Sequence, residues 1–198
     1  MDLRLYLSRF NEILNHLPQI EINRVITSII KIYDNNNKIF IIGNGGSAAN
    51  ASHFAQDLAK GVFLDQGVEK RIKALSLTDN TAYISALAND DGYDRIFEAQ
   101  LRTFADPGDL LIIISGSGNS QNVLKAIEFA KTKGLITAGF SGYDGGKMKP
   151  MLDINVHIPL NEMCTVESVH SVIFHYIILE LREILTKVEF NHSCLKLS

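Results

Sequence analysis

Two small sets of residues in this chain have the types and spacing to do chemistry. His53 and Asp57 are four positions apart, which on a helix places them about one turn from each other. An imidazole and a carboxylate at that spacing can share a metal ion or pass a proton, although a solvated ion pair on a helix surface has the same pattern. The second set is the stretch SGSGNS, where Ser115, Ser117 and Ser120 alternate with Gly116, Gly118 and Asn119. Hydroxyls and unhindered amides ahead of a helix favour an anion, because the helix N-terminus is electropositive and its first N–H groups are unpaired. No Gly-Lys-Ser/Thr follows, which argues against a nucleoside triphosphate loop. Serines without a lysine suit a sugar phosphate.

An earlier stretch, GNGGSA, offers Asn44, Gly45, Gly46 and Ser47 in an equivalent position. Gly43, Gly45 and Ala48 also fit the dinucleotide pattern G-x-G-x-x-A. That pattern wants an acidic residue about 20 positions on, at the end of the next strand. The next strand candidate ends at Thr78-Asp79, too far along, so no nucleotide cofactor is expected. Either loop alone is also explained by a tight turn with no ligand.

The elements that position these loops follow from the hydrophobic pattern. Five short, nearly all-apolar segments, 38–42, 72–77, 110–114, 136–140 and 153–158, alternate with helical patterns at about 47–60, 80–88, 94–104, 119–133 and a short one near 146–150. Such strands imply a parallel sheet covered by helices on both faces. Two helical patterns precede the sheet. Leu3, Tyr6, Leu7, Phe10, Ile13, Leu14 and Leu17 mark the face of the first, and Ile22, Val25, Ile26, Ile29 and Tyr33 that of the second. A single domain over 1–198 is expected, with N-terminal helices to 36, an α/β core over 37–187 and a frayed tail over 188–198.

Composition bounds the classes. The 198 residues are 46% hydrophobic and 21% charged, with a net charge of −3, enough for one sizeable core. No basic cluster stands out, so no nucleic-acid partner is expected. Cys164 and Cys194 are too few for a disulfide framework and read as reduced thiols of a cytoplasmic protein. The first residues lack the apolar core of a signal peptide. The longest apolar stretch, Val172 to Leu179, is interrupted by His175 and is short for a bilayer span.

That stretch belongs to a closing helix over about 163–187 that is apolar almost all round. A helix without a polar face is covered on every side, so a homo-oligomer is expected, with Ile173 and Ile177 at the interface. His175 is then expected in the driest part of the chain, where a core histidine held by one hydrogen bond is the plain alternative.

In order along the chain, GNGGSAANASHFAQDL, NDDGYDRIF, SGSGNSQNVLKAI and VESVHSVIFHYIILEL resemble the sugar-isomerase (SIS) domain, and more narrowly the phosphoheptose isomerases. The resemblance implies a flavodoxin-like sandwich, a homotetramer, and interconversion of sedoheptulose 7-phosphate with D-glycero-D-manno-heptose 7-phosphate for surface polysaccharide. It implies that Ser115, Gly116, Ser117 and Ser120 hold the phosphate, and that Asn44, Gly45, Gly46, Ser47 and Asp90 contact the sugar. It matches His53, Asp57, Glu167 and His175 to positions that some members use to bind zinc, with Asp57 and His175 as the catalytic pair. Asp57 stands for the family's Glu, Glu167 for its Gln, and Gly116 for a commoner Thr. Other members are non-catalytic tetramers that bind the replication initiator protein, and a domain that only senses a sugar phosphate is the third possibility.

Spacing adds one constraint. Glu167 and His175 are eight residues apart, about 12 Å along a helix, too far for one metal centre. The expectation is a composite site at a subunit interface, with His53 and Asp57 from one chain and His175 or Glu167 from another.

Overall fold

A computed structural model describes residues 2–63 and 69–195, with side chains through 186. Five strands, β1 (Lys38–Gly43), β2 (Lys73–Ser76), β3 (Leu110–Ser115), β4 (Ile136–Ser141) and β5 (Ile154–His157), form one parallel sheet in the order β2-β1-β3-β4-β5. Each lies within a residue or two of the segment expected from its apolar run. The strands' two faces are both buried. Ile39, Ile41, Leu110, Ile112 and Ile114 point into one core, and Phe40, Ile42, Leu111 and Ile113 into the other, as the period of two requires.

Helices cover both faces. α2 (Gln19–Asp34), α3 (Gly46–Gln56) and α7 (Met163–Leu195) pack on the first core. α5 (Ile96–Phe104) and α6 (Gln121–Lys133) pack on the second, with residues of α4 (Thr81–Asp90) against its edge. Among the described residues α1 (Leu3–Leu14) packs on the core through Phe10, Ile13 and Leu14, leaving Leu3 and Leu7 of its expected apolar face exposed. The short helix expected near 146–150 is a single 3-10 turn, Lys149–Met151. α3 gives way at Asp57 to one π-helical turn, Asp57–Gly61, where a plain helix to residue 60 was expected.

α7 runs to Leu195, beyond the end expected near 187. Its segment Met163–Thr186 is long and apolar enough by composition to cross a membrane, with mean hydropathy 1.2, although the stretch Val172 to Leu179 alone is short. Half of that apolar window is buried within the chain. Val166, Val169, Ile173, Phe174, Ile177 and Leu181 face the core. Ile173 and Ile177 are therefore internal and do not mark an interface. The opposite side, Val172, Tyr176 and Leu179, is exposed in the single chain.

The chain leaves β1 toward β2 on one side, while β3 lies on the other. The crevice beyond the carboxyl ends of β1 and β3 is thus the topological switch point, where open parallel sheets bind ligands. Both glycine-serine loops emerge there.

Candidate active site

Local sequence explains how the second loop is held. β3 ends at Ser115, and the chain turns through Gly116–Asn119 into α6, with Ser120 in extended conformation as its N-cap. The Gly118 N–H donates to Ser115 Oγ at 3.1 Å, and the Asn119 side chain donates to the Ser117 carbonyl at 2.9 Å. The loop after β4 clasps it from outside: Met148 N–H donates to the Gly118 carbonyl at 3.0 Å and Lys147 N–H to Asn119 Oδ1 at 3.1 Å. Gly118 has φ +63°, and a methyl there would overlap the Gly145 carbonyl, so no other residue fits. The space beside Gly116 is filled by Met163 Sδ. Ser120 opens α6 without its hydroxyl capping the helix. The hydroxyl and the electropositive helix end are both left for a ligand.

The first loop is built differently. It turns at Gly45 (φ 57°) into α3, where Ser47 is buried. The carboxylate of Glu167 packs against Gly46 so closely that a methyl at 46 would overlap it. Glu167 thus lies at the opening of α3, and its carbonyl accepts from Asn50 Nδ2 at 3.2 Å. The two loops are tied across the crevice by Asn44 and Asn122, whose side-chain amides exchange two hydrogen bonds of 2.9 Å. Tyr93 OH donates to Asn44 Oδ1 at 2.9 Å. Asn44, Tyr93, Asp94, Ser120, Gln121 and Asn122 line a cavity of about 520 Å³ here. Asp90 is exposed at the end of α4 and accepts from Asn89 Nδ2 at 2.7 Å. From its segment, Tyr93 and Asp94 line the cavity.

The ionisable residues converge further along α3 and α7, which run side by side in the same direction. Gly46 meets Glu167, Asn50 meets Ser171 at 3.0 Å, and Phe54 stacks on Phe174 with ring centroids 4.5 Å apart. One turn on, Asp57 Oδ2 lies 3.2 Å from His53 Nε2 and 3.8 Å from His175 Nε2. The two imidazoles meet edge to face, centroids 5.0 Å apart. Ligating atoms of His53, Asp57 and His175 all fall within 4.8 Å of one another. Two imidazole nitrogens and a carboxylate oxygen suit Zn²⁺ with a fourth position open, so the set fits a metal ion.

This arrangement corrects two expectations. His175 joins His53 and Asp57 within one chain, so the option that a neighbour supplies it is not what this geometry shows. Glu167 does not join them, as the eight-residue spacing requires. Nor is His175 in a dry place: its side chain is 56% exposed. Among the described histidines the dry one is His170, with 0% exposure and neither ring nitrogen completing a hydrogen bond. Burial lowers its pKa to about 4, against a smaller opposing pull from the Ser141 backbone. Its ring lies edge-on to Phe140, centroids 5.8 Å apart.

Sequence reasoning passed over Tyr93, Asp94 and Asn122. Tyr93 and Asp94 fall inside NDDGYDRIF, but their reach to the crevice depends on the 3-10 turn Tyr93–Arg95 after Gly92 (φ 95°). A glycine closing α4 was the available signal.

Comparisons with known proteins agree with this architecture. Residues 5–142 match the model of the SIS domain. A phosphoheptose isomerase of Aneurinibacillus thermoaerophilus is 38% identical over 169 residues, 85% of this chain and 84% of that protein. One from Helicobacter pylori strain P12 is 42% identical over 147 residues, 74% of this chain and 75% of that protein. Among solved structures, phosphoheptose isomerase GmhA from Neisseria gonorrhoeae superposes with a TM-score of 0.82 at 28% identity, covering 91% of this chain and 97% of that one. A phosphoheptose isomerase from Francisella tularensis gives 0.80 at 26% identity over 91% and 96%.

Proposed function

This chain belongs to the SIS-domain family, among its phosphoheptose isomerases, and from that premise we propose that it interconverts sedoheptulose 7-phosphate and D-glycero-D-manno-heptose 7-phosphate. The observation that carries the reading is Asp57 set between His53 and His175 in a fold whose serine loop is open to a phosphate. A domain acting only by contact, or only as a sensor, has no need of such a trio.

Each residue has a task. Ser117, Ser120 and the opening of α6 bind the phosphate through hydroxyl and amide donors. Asp57 removes the proton from C1 of the ketose, leaving an enediol, and returns a proton to C2. His175 carries a proton from the oxygen on C1 to the oxygen on C2, so two protons change place, one between the carbons and one between the oxygens, and none is lost. A zinc ion held by His53, Asp57 and His175 would instead polarise the substrate carbonyl, with Asp57 and His175 then serving as ligands and not as proton carriers. The exposed thiol of Cys164 suits a reducing, cytoplasmic setting. The side chain of Cys194 lies outside the described residues.

The reading includes an oligomer with shared sites. Met163 touches Gly116 of the serine loop, and His175 is twelve residues further along α7, about 18 Å. Eight bonds separate C1 from phosphorus in a heptose 7-phosphate, about 10 Å for an extended chain. One chain's loop and trio thus stand near the limit of what one substrate can span, and sharing the site between subunits relieves that span. His175 also lies beside the exposed apolar residues Val172, Tyr176 and Leu179, where a neighbouring subunit would bring its own loop. A homotetramer satisfies both facts.

The deciding experiment is NMR of purified protein with sedoheptulose 7-phosphate in D₂O, with and without added zinc. A new aldose phosphate carrying deuterium at C2 is expected. Unchanged ketose under all conditions would refute the reading. Mixed assemblies of Asp57→Asn and Ser117→Ala chains should regain part of the activity lost by each, because some sites then draw both intact halves.

A further inference from the structure

The carboxamides of Asn44 and Asn122 can be accounted for bond by bond. Each amide has one carbonyl oxygen and two N–H donors. Asn44 Oδ1 accepts from both Asn122 Nδ2 and Tyr93 OH, each at 2.9 Å. Its two lone pairs are therefore filled. One of its N–H donors is given to Asn122 Oδ1 at 2.9 Å, which leaves one N–H for the cavity. Asn122 is 2% exposed and turns its amide to Asn44. Asn44 thus faces the cavity as a donor, with no acceptor left on it.

Tyr93 sets this polarity, and Tyr93 is itself held. It lies on the 3-10 turn whose next residue, Asp94, pairs with Lys125 of α6. That contact holds the Asp94 carboxyl below the usual carboxylate range. The turn is pinned at two points to two different elements that bear the site, at the first loop through Asn44 and at α6 through Lys125. We propose that Tyr93 is a positioning residue for the sugar: its hydroxyl fills Asn44 Oδ1, fixes the amide plane, and makes this wall select a sugar oxygen that accepts a hydrogen bond. The inference rests on the isomerase reading and adds a residue to it.

Tyr93→Phe tests it, since it removes one hydroxyl and keeps the ring. KM for sedoheptulose 7-phosphate should rise three- to tenfold while kcat changes less than twofold, and the inhibition constant of inorganic phosphate should hold, because the serine loop is untouched. Lys125→Met should produce the same pattern more weakly by freeing the turn. A purely structural role would move phosphate inhibition and the melting temperature together with KM. Equal KM values for wild type and Tyr93→Phe, or a parallel loss of phosphate inhibition, would overturn the proposal. An inactive wild type that binds the sugar phosphate in calorimetry would overturn the isomerase reading alone. The Tyr93→Phe ratio is then taken from the dissociation constants, with the same three- to tenfold rise expected.

Discussion

The two glycine-serine loops leave neighbouring strands and open helices of similar length, 11 residues in α3 and 13 in α6. By composition both are anion sites. The structure separates them by what already stands at the helix opening. At α3 the chain places its own carboxylate, Glu167, against Gly46. At α6 the cap serine keeps its hydroxyl free. A helix N-terminus recruits an external anion where the chain has not furnished one. On the proposed function, the first loop leads into the helix assigned proton chemistry, and the second is the one assigned to phosphate.

The largest way to separate the two regions is Asp57→Asn. It should lower kcat by about 10²- to 10⁴-fold, the usual worth of a general base, with KM little changed. Steady-state kinetics decide, and a loss confined to KM would place the base elsewhere. Acid should instead strike both regions together, because His170 sits on α7 between Glu167 and His175. Its pKa is about 4 in the folded chain against about 6.5 when unfolded. A lowered histidine pKa means the unfolded state binds the proton first. Stability should thus be full above pH 6.5 and fall as pH drops toward 4, by about 3 kcal/mol in all. Urea midpoints from pH 7 to 4 measure it, and His170→Phe should flatten the slope.

Ser117→Ala addresses the phosphate loop alone. Losing a hydroxyl donor to a charged oxygen costs about 1.5–3 kcal/mol, so KM should rise about ten- to a hundredfold with the melting temperature unchanged. Unaltered KM would move the phosphate off this loop. The smallest expected effect belongs to the other helix opening. Glu167→Gln removes the anion at α3 and should lower stability by about 0.3–1 kcal/mol, seen as a small drop in urea midpoint. A gain in stability would show that the carboxylate is not favoured there.

The strands were legible because a sheet buried on both faces writes itself as short apolar runs, Ile39 to Ile42 and Leu110 to Ile114 among them. His53 with Asp57 was legible because four residues on a helix fix their separation. What α7 does with its histidines was not. Apolar residues all round the helix erase the phase of its burial, so nothing in the pattern says that His170 faces inward and His175 outward. The π-helical turn at Asp57 has no sequence signal either. Arg182, distant in sequence, donates to the Gly61 carbonyl at the end of that turn at 2.8 Å. The meeting of Asn44, Tyr93 and Asn122 joins three distant segments, and only the assembled sheet brings them together.

α7 carries His175 on one side and the core residues Ile173, Phe174 and Ile177 on the other. The histidine that the proposed function makes reactive therefore rides on a helix whose other side is core. A site on a loop can loosen while the fold survives. Here amide exchange around His175 requires opening the core itself, so it should be among the slowest in the protein. Once the helix content of α7 is lost, no catalysis should remain at any denaturant concentration.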